Sequence, residues 1–343
     1  MLKFIKRERI YIWMAFFIVM VNLLSFGHPH KKDQDSIDRK SISTQTFKDM
    51  GITEQKVRLF FESKKPSAVF FKYSFFAGFF MLMAGVIMNI IFLFGRKEII
   101  MNKIHEKKII SWGITDIFKV IIIVIFSGYA LNAAGAVILR SAHFNMDINL
   151  RMMLGTFFID MIAGVAILYF ILMKYREKLS SLGIVLTDFY KNVLSGITAY
   201  IFILPILIVV LILSVLFLDK IGYKAPPQPV FDMFFEEKRS NVILFLTVFV
   251  SVLGPIIEEI FFRGFLYSAV KKRFGVLVGV LLSGALFSML HVNIAGFLPI
   301  MILGVLMAYL YEETGSLVTS ISVHIVHNSI IVGFVFFIKE LLR

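Results

Sequence analysis

Nine stretches of this chain are apolar enough to compete for a lipid bilayer: about residues 10–27, 69–95, 117–139, 152–173, 192–218, 241–268, 275–292, 297–311 and 317–338. A helix needs roughly 20 apolar residues to cross the hydrocarbon layer. Inside that layer each backbone amide must be satisfied within the protein, which favours helices over open strands. The expected fold class is therefore all-α, a polytopic membrane helical bundle of about eight to nine transmembrane helices. Composition agrees, with 58% hydrophobic and 17% charged residues, where soluble domains carry about a quarter charged residues.

The net charge of +13 does not indicate a nucleic-acid partner. Lys and Arg gather at the ends of the apolar runs, in "GRKEIIMNKIHEKK" (95–108), "KYREK" (174–178) and "KKRF" (271–274), where they act as topology signals. With Lys3, Lys6, Arg7 and Arg9 inside, nine spans place all three basic connections on the cytoplasmic side. Residues 219–240 then fall outside, with a short interfacial helix expected around "FDMFFEE". The C-terminus, with Lys339 and Arg343, also falls outside, against the rule. Cysteine is absent, which removes disulfides, a thiol nucleophile and a cysteine metal cage.

The first apolar run could be a signal peptide cleaved near Ser25 or Gly27. The charge pattern favours an uncleaved first span. Residues 1–175 read as an N-terminal transmembrane region with spans at about 10–27, 69–95, 117–139 and 152–173. A polar loop, 28–65, containing "HPHKKDQDSIDRKSISTQ", reads as flexible. A second region is read over 180–338.

Ionisable residues inside a span are costly and mark functional sites, and here they collect in the last third. Glu258, Glu259 and Arg263 lie in "PIIEEIFFRGF", His291 ends "FSMLH", and His324, His327 and Asn328 lie in "SVHIVHN". Counted from the "KKRF" turn at 1.5 Å per residue, Glu258 lies about 20 Å deep and His291 about 25 Å along the returning helix. Counted from the "EETG" turn, His324 lies about 14 Å and Asn328 about 20 Å deep. Glu259 and Arg263 are four residues apart and can pair on one face, whereas Glu258 points about 100° away. A carboxylate and an imidazole at one depth can deprotonate a water, and a second imidazole with a carboxamide can stabilise an oxyanion. A zinc site built from Glu258, His291 and His324 is the competing reading; the chain has no HExxH segment.

Several other polar residues carry structural expectations. His327 reads as a packing histidine, and Asp160 as an intramembrane acid that pairs with Asn132 or lines a water path. Glu312 and Glu313 read as solvated turn residues. Gly275, Gly279, Ser283 and Gly284 read as small residues for close helix approach.

The motifs "EEIFFR" (258–263), "FSMLH" (287–291) and "HIVHN" (324–328) resemble, in order and spacing, the EExxxR, FxxxH and HxxxN motifs of the CPBP family. This is the family of CAAX prenyl proteases and bacteriocin-processing (Abi) proteins. The likeness covers about residues 180–338. It implies an intramembrane peptidase domain whose catalytic residues are Glu258, His291, His324 and Asn328, supported by Glu259 and Arg263. Glu258 and His291 would activate water, and His324 and Asn328 would serve the oxyanion. The family resemblance favours a glutamate-type mechanism that requires no cofactor, with zinc as the alternative. It implies a membrane peptide or protein as substrate and a place in a bacterial cytoplasmic (inner) membrane. A non-catalytic immunity or scaffold protein and a proton-coupled transporter are the rival readings.

Overall fold

A computed structural model of the chain describes residues 2–26, 50–95, 110–141, 146–223 and 229–343. Among these residues the regular secondary structure is entirely helical. Its elements are α1 (Leu2–Phe26), α2 (Glu54–Glu62), α3 (Pro66–Phe94), α4 (Ile114–Ser141) and α5 (Ile148–Leu168, prolonged by a π turn at Tyr169–Lys174). They continue with α6 (Phe189–Lys220), α7 (Pro229–Glu236), α8 (Ser240–Phe274), α9 (Val276–Leu290), α10 (Ile294–Thr314) and α11 (Leu317–Leu342). Helices α3, α4, α5, α6, α8, α10 and α11 are long and apolar enough to cross a membrane. α1 and the short α9 occupy the other two of the nine apolar stretches. The helix expected around "FDMFFEE" is α7.

The polar stretch 28–65 is not loop throughout. Thr53 caps α2 by accepting from the Lys56 amide, and α2 lays Phe60 and Phe61 against Phe337 of α11 at ring distances of 5.9 and 5.7 Å. The amphipathic "VRLFFE" half-buries its aromatic side and leaves Arg58 and Glu62 in solvent. Residues 28–49 lie outside the described residues.

The N-terminal and C-terminal regions share one core. Trp112, Ile167 and Phe170 pack in a single cluster with Leu182, Tyr200, Phe265, Phe287 and Met307. α5 and α4 lie against α8, while α6 lies against α10 and α11.

Helix α8 is not a plain α-helix. Pro255 has no amide proton, and its ring crowds the carbonyl four residues earlier. A π segment, Phe249–Leu253, precedes it, and a second, Ile260–Tyr267, follows Glu259. Backbone carbonyls of these segments receive side-chain donors from elsewhere in the bundle, as the membrane interior demands. Asn328 donates to Val250 O (2.9 Å), Ser283 to Phe262 O (3.1 Å) and Trp112 Nε1 to Phe265 O (3.0 Å). The 15 residues of α9 span about 22 Å, short of the roughly 30 Å hydrocarbon layer.

The small residues of α9 divide into two kinds. Gly284 allows close approach: a Cβ there would stand 2.9 Å from the backbone nitrogen of Val305. Gly279 meets the Tyr267 ring, and Ser283 makes the bond to Phe262 O already given. Gly275 serves the turn instead, with a φ of +86° that disfavours L side chains and no neighbour within 4 Å of a Cβ. The sequence reading of Gly275 as a packing residue is corrected.

Candidate active site

Arg263 anchors the site. Its side chain is fully buried, like that of Glu259, and Nη1 donates to Glu259 Oε1 at 2.6 Å. Nη2 donates to Gly304 O of α10 at 3.0 Å, and the guanidinium lies 4.6 Å from the centre of the Phe287 ring. Desolvated charges of this kind persist only with close partners. The pair ties α8 to α10 and fixes the orientation of Glu259.

Glu259 then orients His324. The Nδ1 of His324, a ring buried to 1% exposure, lies 3.1 Å from Glu259 Oε1. With the Nδ1 proton donated to that carboxylate, Nε2 is turned outward from Glu259. It stands 3.7 Å from Glu258 Oε2. The result is a Glu258–His324–Glu259 arrangement in which one acid is locked by Arg263 and the other is a third exposed. Among the described residues, Glu258 Oε2 makes no hydrogen bond.

His291 sits differently from its depth estimate. It caps the C-terminus of α9, is exposed, and directs Nδ1 to Phe287 O at 2.8 Å. Phe287 stands between the imidazoles, with ring distances of 4.7 Å to His291 and 5.2 Å to His324. The structure thus brings His324 to Glu258 and keeps His291 one aromatic ring away, on the rim. Asn328 lies one turn beyond His324, with its amide on the π segment through Val250 O.

Among the described residues, no three His, Cys, Asp or Glu side chains come together as a metal-holding group. The Phe287 ring packs against both His291 and His324.

The remaining polar residues resolve as follows. His327 is half-buried, with Nδ1 3.2 Å from the Tyr200 hydroxyl on α6. Glu312 is not a solvated turn residue. It takes Lys271 Nζ at 2.6 Å and the Tyr267 hydroxyl at 2.8 Å, closing the basic end of α8 onto α10. The sequence reading missed this because the pairing joins residues 41 apart. Asn132 donates to Gly128 O of its own helix. Phe287 was marked in the sequence only as the first residue of "FSMLH", and Trp112, which lies outside every motif, was missed as an organising residue.

Comparison with known proteins gives two likenesses. Residues 240–330 match the family model described as "Type II CAAX prenyl endopeptidase Rce1-like". A curated protein of Bacillus subtilis (strain 168), "Putative membrane peptidase YdiL", is 29% identical over 82 residues, or 24% of this chain and 34% of that protein. The match therefore spans about a third of the length of that relative. No solved structure matches. The family-model match contains all three of the motifs "EEIFFR", "FSMLH" and "HIVHN".

Proposed function

We propose that this chain is an intramembrane endopeptidase that hydrolyses peptide bonds of membrane-associated peptides or proteins with a water activated at Glu258. The observation that carries the reading is the Glu258–His324–Glu259 arrangement, an unlocked carboxylate 3.7 Å from an imidazole that a locked carboxylate orients.

Glu258 takes a proton from water, and the water oxygen forms a bond to the scissile carbonyl carbon. Negative charge develops on the carbonyl oxygen, which the second N–H of the Asn328 carboxamide and the His324 imidazole, once it carries a proton on Nε2 as well, would stabilise. The C–N bond then breaks as the proton passes to the leaving amine. Arg263 and Glu259 take no part in proton transfer. They hold His324 in place, and Phe287 sets the distance between the two histidines. General base catalysis of this kind contributes about 10²- to 10⁴-fold.

The test is cleavage of membrane peptides by the purified full-length protein in detergent. Prenylated CAAX peptides and unmodified hydrophobic peptides form separate arms. Wild type should cut at least one class, and Glu258→Ala, folded to the same extent, should not. Equal cleavage by both proteins would overturn the mechanism. Activity that persists after strong chelation agrees with metal-free hydrolysis; abolition by chelation and recovery on adding zinc would restore the metal reading.

A further inference from the structure

We infer that His327 is a further catalytic residue of this site: held by Tyr200 with its proton on Nε2, it donates a hydrogen bond to the scissile carbonyl oxygen. The inference rests on the proteolytic reading above and deepens it by supplying a donor that no proton transfer has to create.

Two histidines of α11 are held in opposite tautomers. The Nδ1 of His324 lies 3.1 Å from Glu259 Oε1, and a carboxylate can only accept. The ring proton is therefore on Nδ1, and Nε2 stands 3.7 Å from Glu258 Oε2 with a lone pair. In this state His324 can take up a proton but has no N–H for an oxyanion. His327 is the reverse. Its Nδ1 lies 3.2 Å from the hydroxyl of Tyr200, a residue with 1% exposure. A buried hydroxyl needs an acceptor, and among the described residues Tyr200 reaches no other. The phenolic proton therefore points at Nδ1, which leaves the neutral ring with its own proton on Nε2.

The position of His327 on α11 puts that N–H beside the site. Side chains three residues apart on a helix are neighbours, so His327 adjoins His324. Residues 324, 327 and 328 fall within about 100° of the helix, with 324 between the other two. His324 is the member that reaches Glu258, and Asn328 flanks it on the side of α8 through Val250 O. His327 flanks it on the side of α6 through Tyr200. The ring is half-buried, and among the described residues its Nε2 makes no hydrogen bond. As water adds to the carbonyl carbon and Glu258 takes the water proton, the charge growing on the carbonyl oxygen meets the His327 N–H. The ring gives up no proton and stays neutral throughout.

The test is steady-state cleavage, by the full-length protein, of a peptide that the wild type cuts, using variants that each keep one ring nitrogen's role. The amide of Asn stands in for Nδ1 and that of Gln for Nε2. His327→Asn keeps the Tyr200 contact, loses the donor, and should lose at least about 10²-fold in kcat at little-changed KM. His327→Gln loses the Tyr200 contact, keeps the donor, and should retain most of the wild-type kcat. A merely structural histidine gives the opposite order, because Asn preserves the tie between α6 and α11. NMR of wild type carrying isotope-labelled histidine needs no active variant. His327, assigned by its loss in His327→Asn, should carry its proton on Nε2, and Tyr200→Phe should relax that preference. Wild-type kcat in His327→Asn, the reverse order of the two variants, or a proton on Nδ1 in wild type would overturn the inference and leave the proteolytic reading intact. Failure of the wild type to cleave any peptide would overturn both.

Discussion

The basic end of α8 and its middle treat charge in opposite ways. At the basic end Lys271 is held by Glu312 at 2.6 Å, and Lys272 donates to the carbonyls of Ile110 and Trp112 at 2.7 and 3.2 Å. The contacts there are closed and fasten α8, α10 and the segment leading into α4 together. In the middle of the helix, Glu259 is locked by Arg263, yet Glu258 reaches no lysine or arginine among the described residues. The difference teaches that ionisable residues in one helix fall into two groups by what neutralises them. Paired charges hold the bundle, and the acid left without a cation is the candidate for chemistry.

The comparison breaks most readily at the locked pair. Arg263→Ala strands Glu259 without its cation and should destabilise the protein by about 3–5 kcal/mol. Thermal unfolding in detergent checks this, with Arg263→Lys falling between. Gly284→Leu forces a side chain into the α9–α10 contact and should cost about 1–3 kcal/mol in the same assay. Trp112→Phe removes the side-chain donor to Phe265 O and leaves only the Ser268 amide on it, which should cost about 1–2 kcal/mol. Loss of Trp112 should also loosen protection of the second π segment, visible as faster amide exchange over 260–267.

The basic-end contact is part exposed, with Lys271 and Glu312 side chains at 27% and 23%. Glu312→Gln should therefore cost no more than about 1 kcal/mol and leave cleavage unchanged. A large loss of activity there would erase the distinction between the two parts of α8.

The smallest effect is expected outside the spans. Glu237 is held down to about 2, first by the Arg239 side chain and then by the Arg239 and Lys238 amides, with burial opposing. A depressed carboxylate stabilises the fold above its ordinary value of 4.5 and loses that contribution as pH falls towards about 2. Stability measured from pH 5 to pH 2 should therefore fall more steeply in wild type than in Glu237→Gln.

The fold was legible because apolar run length and basic flanks are local signals. The nine apolar stretches found in the sequence all appear as helices. Pairing of Glu259 with Arg263 was legible as well, since i,i+4 spacing survives in the structure. The structure departs from the sequence reading where α-helical geometry fails. Two π segments flank "GPIIEE", so depth and direction counted on a regular helix could not show that His324 rather than His291 stands beside Glu258. Pro255 was the available signal. Contacts between distant segments, such as Glu312 with Lys271 and Asn328 with Val250 O, have no local signature at all.

Two adjacent acids give the most direct measurement. Glu258→Gln and Glu259→Gln are compared for peptide hydrolysis and for thermal unfolding in one detergent. Glu258→Gln should lose at least about 10²-fold in rate at unchanged stability, while Glu259→Gln should lose stability, because it removes the charge that Arg263 requires. Full activity in Glu258→Gln, or equal loss of stability in both, would contradict the assignment of Glu258 as the base and Glu259 as its support.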